Sequence, residues 1–509
     1  MVLNSPDCQN SMSIFSSFFK PTQKTVDYSA SPQKVFKPLD SNQYLAYNRY
    51  RPDGPKSIFC YLPFNSLTFS ISGQVFVCNY NKNILLGRYP ENTIEEIWTG
   101  APANTLREHM RHNDLTHGCN HCQFYFDKGK FTNLRPLAFD KYSAHTTADY
   151  PRVMEFELSN ECNLECQMCN GNVSSSIRKN QDKLPPLPNP YDEKFVAQLM
   201  PYLHHLKEAK FYGGEPFLIP VYYLIWEKLA ELNPACNLFL ITNGSHWNTK
   251  IQSLVEKLNL DIAISIDSLQ KERLKKIRKN IVYEKLMENI ERFNRVVKAK
   301  GKTLSLSFTV QQENWMELPD FIRFCNEREA SVYVSYLDSP KQYAISELSK
   351  AEWQYIVATL SAETLPTDTP LLRHNAQCLQ DFLTYVKKYI TNANEPQYED
   401  YFYGDQTVNA YTDPLSPVYV RQAATRPQVV QWFSDHIAQH PGCTPLSPEA
   451  LAQKLDEVYA DQAPAELPKL YGMLLQSASP AAAIDTLSTK SLAELRAEAL
   501  PQLARVVLL

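Results

Sequence analysis

Short apolar runs alternate with stretches of helical length across residues 150–340. Six of these runs have the length and the β-branched or aromatic content of buried strands: VMEFEL (153–158), EAKFY (208–212), LFLIT (238–242), DIAISI (261–266), LSLSFTV (304–310) and SVYVSY (331–336). The stretches between them place apolar residues three and four positions apart, as amphipathic helices do. Alternating strands and helices predict an α/β fold with a parallel sheet and right-handed crossovers. Because six units are too few for a closed eight-stranded barrel, we predict a partial (β/α)6 barrel of the TIM type.

The chain on either side of this predicted barrel has other patterns. Residues 1–57 are polar and weakly periodic, which is typical of an arm, whereas residues 58–130 alternate short apolar runs with turn residues and predict a small β-rich, cysteine-bearing module. After the barrel the pattern becomes mostly helical. We expect a helical and loop region over residues 341–425 that covers the substrate, followed by a C-terminal helical domain over residues 426–509.

Charge and targeting signals indicate where in the cell the protein is expected and which partners it is not expected to bind. The 509 residues carry a formal charge of −4, which gives no argument for a nucleic-acid or membrane-surface partner. No apolar run approaches the ~20 residues that a membrane-spanning helix needs. The N-terminal residues lack the basic start, apolar stretch and cleavage site of a secretory signal. The sequence therefore predicts a cytoplasmic protein that binds neither nucleic acid nor membrane.

The chain has twelve cysteines, and their distribution is uneven. In a chain without a secretory signal, this content favours metal or redox chemistry over a disulfide framework. The members of two groups are Cys60, Cys78, Cys119 and Cys122, and Cys162, Cys166 and Cys169. The cysteines that stand alone are Cys8, Cys236, Cys325, Cys378 and Cys443.

The second group has the spacing Cys-x3-Cys-x2-Cys directly after the first predicted strand. Three thiolates on one loop can hold three corners of a 4Fe–4S cubane. The missing fourth ligand leaves one iron open to an external ligand, as catalytic metal sites require. Three unrelated thiols, or a zinc site that takes a distant fourth ligand, are the alternatives. The strand before the run and the Gly-Gly-Glu-Pro motif after the next strand argue against both.

With this loop and motif the chain resembles the radical S-adenosylmethionine (SAM) superfamily over roughly residues 150–340. The resemblance implies that the open iron binds SAM, that the Gly-Gly-Glu motif binds its amino group and that polar residues of the fourth strand contact its ribose. The SAM contacts implied at strand ends are Gly213, Gly214, Glu215, Thr242, Asn243, Ser265 and Asp267. Met168 stands where many members have an aromatic residue near the adenine, and a thioether can cover the same apolar face.

The first group reads Cys60, then Gly73-x4-Cys78, then Cys119-x2-Cys122. Four thiolates complete a closed site, and the pattern resembles the twitch (half-SPASM) module of the same superfamily, here placed before the barrel. The resemblance implies a second, auxiliary 4Fe–4S cluster. A zinc ribbon is the main alternative, since Cys-x2-Cys pairs beside a hairpin also suit zinc. His117 and His121 flank the pair, and we do not count them as ligands.

Length, module order and a helical extension resemble the peptide epimerases of proteusin-type pathways. The resemblance implies a peptide substrate with a leader sequence, a reductant such as flavodoxin or ferredoxin, and L-to-D epimerisation by abstraction of a Cα hydrogen. Another radical peptide modification (a thioether or carbon–carbon crosslink) and a radical enzyme for a sugar or small metabolite are the alternatives. A non-catalytic zinc-binding protein is a fourth, from another class.

Epimerisation needs a hydrogen donor on the opposite face of the substrate, and Cys378 is the candidate catalytic residue for that step. It follows the barrel on a predicted helix that could close over the site. The alternative is a core role, because Cys378, Phe382, Val386 and Ile390 recur every four residues. Cys443, on a predicted loop, is a weaker candidate for the donor.

Overall fold

A computed structural model describes residues 36–80, 82–391 and Gln453. Its strands are β1 Ser66–Phe69, β2 Gln74–Phe76, β3 Gly87–Arg88, β4 Val153–Phe156, β5 Glu165–Cys166, β6 Glu208–Phe211, β7 Asn237–Thr242, β8 Leu260–Ser265, β9 Arg278–Lys279, β10 Ser305–Val310 and β11 Ser331–Tyr336. Its helices are α1 Ser41–Tyr50, α2 Ile94–Thr99, α3 Ala101–Arg111, α4 Asn120–Asp127, α5 Ser175–Asn180, α6 Glu193–Leu203, α7 Pro220–Leu232, α8 Thr249–Lys257, α9 Lys271–Ile277, α10 Tyr283–Ala299, α11 Leu318–Glu327, α12 Lys350–Leu360 and α13 Pro370–Thr391.

The six predicted strands are all present, and they lie side by side in chain order as β4, β6, β7, β8, β10 and β11. Each pairs with its neighbour in parallel, and helices connect them. This confirms the predicted α/β fold with a partial parallel barrel and, through α12 and α13, the helical region that follows it.

The two faces of the sheet differ because side chains alternate along each strand. On the outer face Phe156 stacks on Phe211 with ring centroids 5.1 Å apart, and Phe211 packs against Trp226 of α7. On the opposite, inner face the paired positions are the charged Glu155 and Lys210. Half-buried and buried residues alternate along β10 as well. The helices therefore cover one apolar face and leave the other face polar.

The sheet does not end at the barrel. Strand β1 pairs in parallel with β4, and β2 and β3 continue from it as antiparallel strands, which gives a nine-stranded sheet. Gly73 in the β1–β2 turn has φ of +80°, and a Cβ there would lie 2.2 Å from the Tyr89 carbonyl oxygen, so the turn requires glycine. The predicted cysteine module thus shares one sheet with the barrel, and it also contains α2, α3 and α4.

At the other edge of the sheet, α13 covers β11. The Asn375 side chain accepts a hydrogen bond from the Val332 amide (2.8 Å) and donates one to the Ala330 carbonyl oxygen (2.9 Å). His374 Nε2 lies 3.0 Å from the Val332 carbonyl oxygen. Because exposed strand edges attract further pairing, these side chains act as substitutes for a neighbouring strand.

Parts of the predicted organisation fall outside the described residues. The C-terminal domain over 426–509, residues 1–35 of the predicted arm, Cys8 and Cys443 are among them. The described end of the arm contains α1, which begins after the capping carboxylate of Asp40. Arg51, just after α1, donates to the Phe59 carbonyl oxygen at 2.5 Å. Within the described ranges no helix is both long and apolar enough to cross a bilayer.

Candidate metal centres

The loop that follows β4 carries Cys162, Cys166 and Cys169, which we call the barrel site. Cys166 lies in β5, whose antiparallel partner β9 follows β8 and α9. The Cys162 amide donates to Ser175 Oγ at 3.1 Å, and Ser176 Oγ donates to the Cys162 carbonyl oxygen at 2.7 Å. Backbone bonds on both sides of the loop therefore fix its course across the carboxyl ends of the strands, where parallel α/β sheets place their chemistry.

The thiols of this loop lie close together. Cys166 and Cys169 share a hydrogen bond, which raises the pKa of Cys166 and lowers that of Cys169. Burial raises the pKa of Cys162 to about 11. Since a metal ligand must be the thiolate, a bound metal would have to displace these protons.

The glycines of the Gly-Gly-Glu motif pack against the backbone at the start of the cysteine loop. A Cβ on Gly213 would lie 2.5 Å from the Ser159 carbonyl oxygen, and one on Gly214 would lie 2.3 Å from that of Glu161. The Gly214 and Glu215 amides donate to these same two carbonyls, at 3.0 and 2.7 Å. In the structure these backbone amides therefore hold the loop, and their contact with SAM stays a prediction.

Glu215 is fully buried between the loop and β7. Its carboxylate accepts hydrogen bonds from Thr242 Oγ1 and from the Asn243 amide, both at 2.7 Å. Burial raises its pKa to about 7, despite these bonds. Asn243 Nδ2 lies 4.0 Å from Cys162 Sγ and donates to Asn163 Oδ1 at 3.0 Å. The structure thus brings three of the predicted residues together directly behind Cys162.

At the end of β8, Ser265 lies half-buried on the inner face, whereas Asp267 is fully buried. Asp267 Oδ1 accepts from the Thr309 amide at 2.8 Å, and Oδ2 lies 2.7 Å from Arg278 Nε. Arg278 Nη1 in turn lies 3.9 Å from Cys166 Sγ. Sequence reasoning missed Arg278, because no motif or spacing distinguishes this arginine from the other basic residues around it. Met168 lies partly buried against the core.

The first cysteine group forms what we call the auxiliary site. Its four cysteines line one small cavity, with a volume of about 20 Å³. The residues that share this lining with Cys60, Cys78, Cys119 and Cys122 include Phe59, Leu62, Val77, Met110, Leu115, His121 and Arg135. Burial raises the pKa of Cys60 to about 12 and that of Cys122 well above its ordinary value.

The donor set of the auxiliary site fits a cluster of iron and sulfide. Four thiols converge on an apolar cavity, and the described cysteines form no disulfide. No group of three or more His, Cys, Asp or Glu side chains among the described residues could hold a single metal ion. A four-iron cube spreads its thiolates more widely than one ion does. Burial lowers the pKa of His121 to about 4, so its ring is neutral at pH 7.

Cys378 lies apart from both sites. Its thiol donates to the Val332 carbonyl oxygen at 3.6 Å and to the His374 carbonyl oxygen at 3.5 Å, between α13 and the edge of β11. Burial raises its pKa to about 11. No described contact joins it to the barrel site, and its role as the hydrogen donor stays a prediction. Cys236 and Cys325 are buried.

Two family models match the chain, and each covers one of the sites. The model of the radical SAM superfamily matches residues 156–325, and the SPASM model, an iron–sulfur cluster-binding domain, matches residues 60–123. A GTP 3',8-cyclase of Helicobacter pylori (strain HPAG1) is 26% identical over 199 residues, which are 39% of this chain and 58% of that protein. The chain thus spans little more than half of this relative's length.

Solved structures resemble parts of the chain. Streptococcus suis SuiB bound to S-adenosylmethionine matches with a TM-score of 0.33 and 14% identity, over 62% of this chain and 70% of SuiB. The structure of anSMEcpe with bound AdoMet and the Cp18Cys peptide matches with a TM-score of 0.31 and 16% identity, over 41% and 58%.

The two family models and the two cysteine sites agree on the cofactors. The radical SAM model covers the barrel site with the Gly-Gly-Glu motif, and the iron–sulfur model begins at Cys60 and ends just after Cys122. The cofactors are therefore SAM and 4Fe–4S clusters. The chain carries a radical SAM domain over residues 156–325 and an auxiliary iron–sulfur cluster-binding domain over residues 60–123.

Proposed function

We propose that this radical SAM enzyme modifies a ribosomally made peptide and that the reaction is L-to-D epimerisation at Cα. The observation that carries the proposal is the open inner face of the sheet, which both cysteine sites border. A substrate on this face would lie between the two clusters, and a face of this kind suits an extended chain better than an enclosed small molecule.

The inner face is accessible and mostly polar. Tyr333 in the middle of β11 is 61% exposed, and Ile241 near the end of β7 is 36% exposed. Beside them Thr309 Oγ1 and Ser335 Oγ lie 3.0 Å apart. Hydroxyl groups along parallel strands are suited to peptide carbonyl and amide groups, because they both donate and accept.

The auxiliary site borders the same face through Arg135. This side chain lines the auxiliary cavity and donates to Glu155 Oε1 at 2.5 Å, and Lys210 Nζ donates to the same oxygen at 3.0 Å. The Asn79 side chain donates to Glu155 Oε2 at 2.6 Å. Glu155 is only 1% exposed, so the hydrogen bonds of this charged cluster are buried and hold its side chains in place at the inner face.

The chemistry divides between the cofactors and the chain. When bound, the reduced cluster and SAM supply a 5'-deoxyadenosyl radical, which removes a hydrogen atom from an unactivated C–H bond. The chain would orient the substrate over the inner face. A thiol would then return a hydrogen atom from the opposite side, with Cys378 as the proposed donor. One electron from the external reductant and one proton would convert the resulting thiyl radical back to the thiol. Its thiol would have to leave the Val332 carbonyl oxygen to do so.

Reaction in deuterium oxide tests the proposal. The anaerobic protein, with reductant and SAM, is incubated with candidate precursor peptides from short reading frames near its gene, and the product is measured by mass spectrometry. One deuterium per modified residue supports epimerisation, and loss of two hydrogens identifies crosslinking instead. SAM cleavage with no change in the peptide would contradict peptide modification.

The GTP 3',8-cyclases among the relatives provide the competing substrate class, a nucleotide. In our proposal GTP is not consumed, because Arg135 and Lys210, the cations of the charged cluster at the inner face, already pair with Glu155. Incubation with GTP should therefore give no GTP-dependent 5'-deoxyadenosine. Consumption of GTP would replace the peptide proposal.

A further inference from the structure

The geometry points to Arg278 as a positioning residue of the barrel site, which holds a fixed positive charge against the Cys166 sulfur and raises the reduction potential of the cluster bound there. This inference rests on the superfamily assignment and not on the peptide proposal, so it applies whatever the substrate is.

Backbone pairing places Arg278 opposite Cys166. The two residues are Cα partners in the antiparallel pair of β5 and β9. Arg278 is 8% exposed, and its Nη1 lies 3.9 Å from Cys166 Sγ, within the range of a hydrogen bond to sulfur. The guanidinium therefore contacts one of the three cysteines that would hold the cluster.

A buried carboxylate holds the guanidinium in place. Arg278 Nε lies 2.7 Å from Oδ2 of Asp267, which is 0% exposed. The Thr309 amide donates to Asp267 Oδ1 at 2.8 Å, and Asn314 Nδ2 donates to the Asp267 carbonyl oxygen at 2.8 Å. Since Asp267 is fixed by its neighbours, Arg278 has little freedom to turn away from Cys166.

The positions of the two charges decide whether the reduction potential of the cluster rises or falls. Arg278 lies between Cys166 and Asp267 in space. The positive end of the ion pair therefore faces the Cys166 sulfur, and the negative end faces β8. Reduction adds one negative charge to the cluster. A fixed cation beside a ligand stabilises the reduced form, and hydrogen bonds to cluster sulfurs act in the same direction. Burial strengthens both interactions because the local dielectric constant is low.

This placement also assigns Asp267 a different task from the ribose contact that the family resemblance implies. One of its oxygens accepts from the Thr309 amide and the other faces Arg278. Its carboxylate therefore acts on the cluster through Arg278, and Asp267 is a second positioning residue.

The test is a redox titration of the full-length protein with both clusters, followed by electron paramagnetic resonance. The part of the signal that changes when SAM is added reports the barrel site. Arg278→Gln should lower its midpoint potential, so that the ratio of reduced to oxidised cluster at the wild-type midpoint falls about tenfold, which corresponds to about 59 mV for one electron. Arg278→Lys should shift it less, because the charge remains.

Asp267→Asn should shift the potential the opposite way, upwards, because it removes the negative end of the pair and leaves the cation. A role limited to loop stability would not give shifts of opposite sign. The matched control is Lys275→Gln in α9, which removes one positive charge from an exposed side chain paired with Glu272. Its midpoint should equal that of the wild type.

Two outcomes would overturn the inference. An unchanged midpoint in Arg278→Gln together with weaker SAM binding would make Arg278 a SAM ligand instead. If Arg278→Gln binds no cluster, Asp267→Asn decides, and a midpoint at or below the wild-type value would reject the electrostatic role.

Discussion

The barrel site and the auxiliary site use the same ligand atom but are assembled in different ways. The three thiols of the barrel site come from one loop between Cys162 and Cys169, and strand ends of several sheet segments support that loop. The thiols of the auxiliary site come from the segment before β1, the end of β2 and the start of α4, and they surround an apolar cavity.

The two sites illustrate two ways in which a protein can supply metal ligands: from one loop, or from segments that are distant in the sequence. A single loop with polar support leaves one side open for a ligand, and its charge environment is set by neighbours such as Arg278. A cavity closed by distant segments encloses its cluster and depends on the fold for its ligand geometry. The first arrangement suits a site that must bind SAM, and the second suits one that must only hold a cluster.

Replacing one ligand in each site gives the largest expected contrast. Cys162→Ala should abolish SAM cleavage, whereas Cys60→Ala should retain it, because only the barrel site binds SAM. In both variants the iron content should fall from about eight to about four atoms per chain, since each site holds one 4Fe–4S cluster. Iron analysis and 5'-deoxyadenosine measured by chromatography check this. Loss of SAM cleavage in Cys60→Ala would show that the two sites are not independent.

Gly214→Ala tests whether the loop depends on its support. The new Cβ would lie 2.3 Å from the Glu161 carbonyl oxygen, so the loop must shift, at a cost of about 1–3 kcal/mol in the free energy of unfolding. Spectroscopy should show loss of the SAM-responsive cluster and retention of the auxiliary one.

The control for this variant is Gly301→Ala, at a glycine with φ of +68° and open space around its Cβ position. It introduces backbone strain without touching the loop, so both clusters should remain. Equal loss of the barrel cluster in the two variants would reject the specific role of Gly214.

Arg135→Met tests the link between the auxiliary site and the inner face. It removes one of the cations that pair with buried Glu155, so we expect a loss of a few kcal/mol in the free energy of unfolding. The barrel site should still cleave SAM, and coupling of that cleavage to the peptide should fall. Arg152→Met, at a half-buried arginine just before β4 whose guanidinium donates to the Tyr150 carbonyl oxygen, is the comparison for a general charge effect.

Glu215 predicts a pH dependence of smaller size. Its pKa is raised from 4.5 to about 7, so the folded protein holds a proton that the unfolded chain releases between these values. The stability that the protonated form contributes is complete below pH 4.5 and is lost as the pH rises through 7. The free energy of unfolding should fall by about 1.4 kcal/mol per pH unit within this window.

Glu215→Gln should remove this slope, as urea unfolding at pH 6 and pH 7 would measure. Glu256→Gln, at the exposed end of α8, provides a variant with the same chemical change and an unaltered slope. If Glu215→Gln keeps the wild-type slope, then burial of Glu215 is not its cause.

The sequence was sufficient for features that depend on local pattern. Alternation of apolar runs predicted the six barrel strands, and the cysteine spacing predicted both groups, because periodicity and ligand spacing are local properties. The parallel pairing of β1 with β4 was not predicted, since nothing in either strand specifies a distant partner. Arg278 was missed for the same reason: its function comes from the position of β9 opposite β5, which only the fold determines.

The parallel pairing of β1 with β4 also affects how the protein matures. Residues 66–69 leave the ribosome well before residues 153–156, so β1 has no partner on that side while the cysteine module is being synthesised. Parallel pairs between distant segments form slowly, because the closure of a long loop must come first. The cysteine module can therefore join the barrel sheet only after the first barrel strand has been synthesised.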